Sequence, residues 1–188
     1  MYIASNEYLN IMYNPLSYTD PGRFKCNQQM LDTAYGRSVA NNIIIEQFQL
    51  STGKVELTTP SVFFIKNWAL IRDIVFYTGC QVLRGDFFQQ GRFMSLPEPA
   101  RNFIKTALIP VDIRYPRTTF DGSHDSIIST GYAVFMPAVS ILPLPLRQRI
   151  TICFPPYVEE EPFRQAVTPL FISMVTRYAK KNPLKLFI

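Results

Sequence analysis

Histidine occurs once in the 188 residues and cysteine three times, and both shortages restrict the chemistry open to the chain. Cys26, Cys80 and Cys153 are odd in number, far apart and without C-x-x-C spacing. Neither a disulfide framework nor a structural zinc site follows, and three thiols in a reducing compartment fit the pattern. No G-x-x-x-x-G-K-[ST], G-x-G-x-x-G or G-x-S-x-G occurs. Phosphate-cradling loops and the nucleophile elbow are therefore missing, and no cofactor or small-molecule substrate is expected. Apolar runs break at charge or proline within about a dozen residues, short of the roughly 20 that a spanning helix needs. Met1 to Leu16 lacks a basic region followed by an apolar stretch, and there is no Asn-x-Ser/Thr sequon. The expectation is an intracellular, cytoplasmic protein.

Charge is thin as well, at 18% of residues against about 25% in ordinary globular chains. What the chain has instead is apolar and aromatic: 47% hydrophobic residues, with 15 Phe and 10 Tyr. That is ample for a core, and its length suits one domain. Residues 1–19 read as an N-terminal arm and 20–188 as a single α+β domain. Large amphipathic rings are favoured at interfaces, so self-association into a homo-oligomer is expected.

The net charge of +5 is unevenly placed. Arg164, Arg177, Lys180, Lys181 and Lys185 face no acid from residue 164 onward, whereas residues 1–163 carry 14 bases against 14 acids. The basic segment 164–188 suits an anionic partner, either an acidic membrane surface or nucleic acid.

Along the chain, Asp20-Pro21 reads as a helix start and Gly36 as its stop. Ile43 to Leu50, Ser51-Thr52-Gly53, and Val55 with Leu57 read as a β-hairpin. Ser61 can cap a central apolar helix carrying Phe64, Ile65, Trp68, Ile71 and Val75, with Gly79 ending it. Pro99 opens a shorter helix through Phe103, Ile104 and Leu108. Val111–Tyr115, Ile127–Phe135 and Arg149–Phe154 then read as strands between Pro- and Gly-bearing turns, with Pro137, Pro143 and Pro145 confined to edges or loops. The second half is thus expected to be β-rich. Pro162 to Lys181 reads as a C-terminal amphipathic helix with Phe163, Val167, Leu170, Phe171, Met174 and Tyr178 on one face, and its main part can begin at Thr168-Pro169, a good cap and first-turn pair.

Several clusters invite a functional reading. Asp121, Ser123, His124 and Asp125 crowd the residue types of a hydrolase triad into one short stretch. Neighbours in a turn cannot adopt triad geometry, so the stretch reads as a solvated turn. Its Asp-x-Ser-x-Asp spacing lacks the Gly and Glu of a calcium loop, where Ser126 and Tyr132 stand instead. A metal-dependent nuclease would need strand carboxylates such as Glu46, Glu56 and Asp112, with Arg114 beside the last; a surface ion pair explains Asp112 and Arg114 more simply. Arg84, Arg92, Arg101, Lys105, Arg114 and Arg117 lie among Phe87, Phe88, Phe93 and Tyr115, a mixture suited to nucleic-acid contact. Arg177, Lys180, Lys181 and Lys185 are the candidate residues for the anionic partner, although lysines also suit the negative end of a helix dipole. Leu184, Leu186, Phe187 and Ile188 need cover by protein or membrane. Tyr8-Leu9-Asn10-Ile11 and Tyr13-Asn14-Pro15-Leu16 fit a short Tyr-x-x-apolar pattern.

The order of hairpin, apolar helix, β-rich half and basic terminal helix resembles, at the level of fold alone, the matrix proteins of negative-strand RNA viruses. The reading that follows is a non-enzymatic, self-assembling structural protein of matrix or other virion type. A nucleic-acid-binding module is the first alternative and a metal-dependent nuclease the second.

Overall fold

The computed structural model describes residues 6–53, 57–89, 91–108, 121–160 and 167–184. Every regular element among them is a helix: α1 (Asn6–Tyr13), α2 (Gln28–Leu31), α3 (Ala34–Gln47), α4 (Thr59–Lys66), α5 (Ile71–Val82), α6 (Arg84–Gln89), α7 (Glu98–Ile104), α8 (His124–Ala138), α9 (Leu144–Ile152) and α10 (Pro169–Lys181), with short 3-10 turns. No strand occurs among the described residues, so the expected α+β class gives way to a helical fold. The chain forms two compact units, residues 1–69 with 140–156 and residues 70–139 with 157–188.

In the first unit α1 packs on α3, α4 and α9. Ile44, Leu50 and Ile152 form a core cluster flanked by Leu16, Tyr18, Phe24, Ile45 and Phe48. The expected hairpin is absent because Ile43 to Gln47 close α3. Gln49 then adopts a left-handed φ of 48°, and the N–H of Leu50 turns back to the carbonyl of Ile45 at 2.9 Å. Leu50 is thereby returned to the core beside Ile44. Val55 lies outside the described residues.

The helix expected from Asp20 to Gly36 is also replaced. Asp20 accepts from the Gly22 N–H at 2.8 Å in a tight turn, and Arg23 donates to the carbonyls of Phe154 and Pro155. Gly36 sits in the first turn of α3, where Thr33 Oγ1 accepts its N–H at 2.9 Å. A Cβ at this position would lie 1.7 Å from the carbonyl oxygen of Met30, so glycine is needed for close approach and not as a stop.

The largest fully buried side chain of this unit among the described residues is Arg149, on α9. Its Nη1 donates to the carbonyls of Ser51 (2.8 Å) and Pro145 (3.0 Å), and its Nη2 to that of Met12 (2.7 Å). Tyr18 completes the group, donating its own hydroxyl to the carbonyl of Ile11 at 2.6 Å. Burial lowers the pKa of Arg149 and raises that of Tyr18, each being opposed in part by the other.

The second unit is built on α5 and α8. Their contact depends on two glycines. A Cβ on Gly79 would lie 2.0 Å from the carbonyl oxygen of Ile127, and one on Gly131 would lie 2.1 Å from that of Val75. Gly79 therefore sits inside α5 at a helix crossing and does not end it. The expected central helix from Ser61 is in fact three elements, α4, a 3-10 turn at Trp68–Leu70, and α5. Thr58 caps α4, accepting from the Ser61 N–H at 3.3 Å. Ile127–Phe135, expected as a strand, is the buried stretch of α8. Arg149–Phe154, likewise expected as a strand, ends α9 and enters the following turn. Val111–Tyr115 lies outside the described residues.

Of the prolines expected at edges or in loops, Pro145 stands in the first turn of α9 and Pro137 inside α8. Pro60, Pro99, Pro145 and Pro169 each stand in the first turn of a helix, where the missing N–H has no carbonyl to serve. The C-terminal helix starts where Thr168-Pro169 predicts, with Thr168 Oγ1 accepting from the Phe171 N–H at 3.2 Å. It buries Phe171, Ile172, Val175, Thr176 and Ala179 and packs on α5. Tyr77, Phe103 and Tyr178 meet with ring centroids 4.6 to 5.2 Å apart. Tyr178 also donates to the carbonyl of Pro99 at 2.8 Å.

Candidate interaction surfaces

The face of α10 opposite its buried side is exposed from end to end. Leu170 is 71% and Met174 43% exposed, and Ser173, Arg177, Lys180 and Lys181 are exposed with them. Helical geometry places Leu170, Met174, Arg177 and Lys181 along one stripe, since they are separated by steps of four, three and four residues. Large apolar groups occupy its first half and cations its second. The sequence analysis found the cations, but it set Leu170 and Met174 on the apolar face of the helix with Phe171, whereas both stand in solvent. The same spacing, read on the solvent side, was the available signal.

Below this helix the chain is tied down. Tyr77 donates to the carbonyl of Asn182 at 2.7 Å, and Asp73 accepts from the Leu184 N–H at 3.2 Å. Burial pushes the Asp73 carboxyl up to about 6, with the Leu184 N–H working against it. Leu184 is buried, as its apolar character requires. Lys185, Leu186, Phe187 and Ile188 lie outside the described residues.

The basic residues of the middle segment are engaged locally. Arg84 donates to the carbonyl of Ile104 at 2.8 Å and lies 5.2 Å over the ring of Phe88. Phe88 stacks on Phe93 at 5.2 Å, while Phe87 is fully buried. Arg101 reaches Met94 Sδ at 3.6 Å, and Lys105 pairs with Asn102 Oδ1 at 3.0 Å. The Arg92 side chain runs past Gly122, where a Cβ would be 2.8 Å from its Cδ. Arg114, Arg117 and Tyr115 lie outside the described residues.

The polar stretch 121–126 starts a helix. Asp121 accepts from the Ser123 N–H at 2.8 Å, and Ser123 Oγ caps α8 through the Ser126 N–H at 3.1 Å. His124 stacks on Phe76 with centroids 5.2 Å apart, and desolvation there lowers its pKa. Asp125 accepts from the Tyr157 hydroxyl at 2.7 Å. Glu46 stands exposed on α3, a helix, so the strand carboxylate set is not assembled there; Glu56, Asp112 and Arg114 lie outside the described residues. Of the two Tyr-x-x-apolar stretches, the first buries Ile11, while the second exposes Tyr13 and half-buries Leu16. The three cysteines are reduced thiols, Cys80 and Cys153 buried.

The family profile of bacterial type III secretion apparatus proteins, OrgA/MxiK, matches residues 8–181, from α1 to the last residue of α10. The chain belongs to the OrgA/MxiK family. It is 29% identical over 178 residues to the oxygen-regulated invasion protein OrgA of Salmonella typhimurium, covering 92% of this chain and 86% of that protein. It is 28% identical over 78 residues to protein MxiK of Shigella flexneri, covering 42% and 45% of the two chains. No solved structure matches. Membership in OrgA/MxiK makes the chain a structural component of a bacterial secretion apparatus and not an enzyme. It overturns the expected viral matrix or virion role, and it leaves the nucleic-acid-module and nuclease alternatives without support. As an apparatus protein, the chain has other apparatus components as its partners. No helix among the described residues is long and apolar enough to cross a membrane.

Proposed function

We propose that this chain works as an assembly component at the cytoplasmic side of a type III secretion apparatus, holding other components through exposed apolar and basic surfaces. The observation that carries the reading is the family match over nearly the whole chain, joined to large apolar side chains left in solvent in each unit. Leu9, Tyr13, Tyr35, Ile43, Ile141 and Leu144 are exposed in the first unit, and Phe88, Met94, Leu170 and Met174 in the second. Anchors of this kind, when they converge on a partner, supply most of the energy of an interface. Self-association through the same side chains belongs to this reading, as does a role for Arg177, Lys180, Lys181 and Lys185 against an acidic partner.

The test is deletion and complementation in the encoding bacterium. Loss of secretion, and co-sedimentation of the chain with the apparatus only when other components are present, is the expected outcome. Unimpaired secretion without the chain would refute the assignment. Light scattering of the purified protein tests self-association, and a clean monomer at high micromolar concentration would remove that part.

A further inference from the structure

We infer that residues 182–184 form a proton-sensitive clasp, which fastens the end of α10 to α5 while the Asp73 carboxyl holds a proton and slackens when the proton leaves. Asp73 and Tyr77 stand one turn apart on the same face of α5. Each takes one main-chain group of the segment that follows α10: Tyr77 donates to the carbonyl of Asn182, and Asp73 accepts from the N–H of Leu184. Pro183, between them, has no N–H to satisfy. Asn182 closes the helix itself, its N–H and its side-chain amide both donating to the carbonyl of Tyr178, at 3.0 and 3.1 Å. Leu184 and Asp73 are buried together, at 8% and 7% exposure.

The carboxyl is the weak member of this clasp. Among the described residues it accepts one hydrogen bond, at 3.2 Å, although an ionised carboxylate has room for about four. Ionisation in so dry a place is costly unless the cover lifts and water enters. The closed clasp therefore keeps its proton to higher pH than the open one, in keeping with a pKa raised from 3.8 to about 6. Opening is favoured as pH rises through that interval, by at most about a hundredfold. Of the other titratable groups, Tyr77, Cys80 one turn along α5, and Tyr178 of α10 are held protonated by burial. Burial and the Leu184 N–H are the causes of the Asp73 shift; Arg72 beside it, Glu98 and Arg101 on α7, Asp125 on α8, and Arg177, Lys180 and Lys181 on α10 are not among them. His124 of α8, which stacks on Phe76 of α5, is the competing group, its pKa lowered by burial.

The experiment follows amide hydrogen exchange of the purified full chain by NMR from about pH 5 to about pH 7.5, each rate divided by its intrinsic chemical rate. Leu184 should exchange faster than the buried Ile74 and Val75 of α5 at every pH, the mark of a local opening. Its protection should fall about tenfold over that range, through the interval in which the Asp73 carboxyl carbon titrates. Tyr77→Phe should lower Leu184 protection about fivefold throughout and keep the slope. Asp73→Asn should hold the amide and abolish the slope. A fall of less than about threefold overturns the clasp, as does exchange of Leu184 only in step with Ile74 and Val75, or a Tyr77→Phe variant whose Leu184 is protected as in the parent. A slope that survives in Asp73→Asn belongs to His124 and overturns it too. Should Asp73→Asn fail to fold, the carbon titration of the parent decides, with a midpoint of about 6 expected and one of about 4 fatal to the proposal.

Discussion

Arg149 Nη2 donates to the main-chain oxygen of Met12 at 2.7 Å, joining α9 to the end of α1 across 137 positions of sequence. The same guanidinium holds Ser51, so one buried cation fixes two distant segments of the first unit by their carbonyls. Replacing Arg149 with Met keeps the bulk and strands those oxygens in a dry core. A loss of about 3–5 kcal/mol is expected, read from urea unfolding of the full chain. A variant as stable as the parent would mean that the cation does not hold this core.

The paired glycines of α5 and α8 give a sharper test. Gly131→Ala drives a Cβ to 2.1 Å from a carbonyl oxygen, and backbone must move to admit it. About 3 kcal/mol should be lost, or roughly 6 to 12 °C in Tm for a chain of this size. Gly85, in α6 with nothing near its notional Cβ, is the control. There, Gly85→Ala should stabilise by about 0.5–1 kcal/mol.

Asp73 predicts a pH dependence of defined sign. Its pKa is raised on folding from 3.8 to about 6, mainly by burial. The folded chain therefore holds a proton that the unfolded chain has lost, and stability falls as pH rises across that interval. Asp73→Asn keeps an acceptor for the Leu184 N–H and removes the titration. The variant should be the more stable by about 1–2 kcal/mol at pH 7, with the difference closing near pH 4. Urea midpoints at four pH values decide this, and an advantage for the parent at pH 7 would contradict it.

Thr168 caps α10 through its hydroxyl. Thr168→Ala should cost about 1 kcal/mol, and Thr168→Ser should restore most of it. Equal melting temperatures for all three proteins would show that Pro169 alone sets the helix start.

The terminal helix was legible because apolar residues recur at helical spacing and its start carries a Thr-Pro pair, but the face was misjudged: Leu170 and Met174 are exposed, and Ile172, Val175 and Ala179 are buried in their place. The β reading of the second half failed for identifiable reasons. Ile127 to Phe135 is buried without interruption, so α8 shows no polar face from which a period could be read. In Arg149-Ile150-Thr151-Ile152 the buried arginine imitates the polar position of an alternating strand. Ile43-Ile44-Ile45 is rich in β-branched residues, yet only Ile44 is buried, and long-range packing overrode local preference. Gly131 was the overlooked clue, since a glycine within an apolar run marks close backbone approach in a helix pair as well as in a sheet. Among the site residues, the cations of α10 stood out by charge imbalance, while its exposed aliphatics looked like any others until the buried face was known.

The first unit is interrupted in sequence: it opens with residues 1–69 and is completed only by 140–156. At bacterial synthesis rates of about 5–20 residues per second, α1, α3 and α4 wait roughly 4 to 17 seconds on the ribosome before α9 emerges. Through that interval Met12 and Ser51 have no arginine to receive, and Ile44 and Leu50 have no Ile152 to meet. A nascent chain stopped anywhere before α9 thus lacks the segment that closes the core of its first unit, and the second unit waits longer still, for residues 157–188.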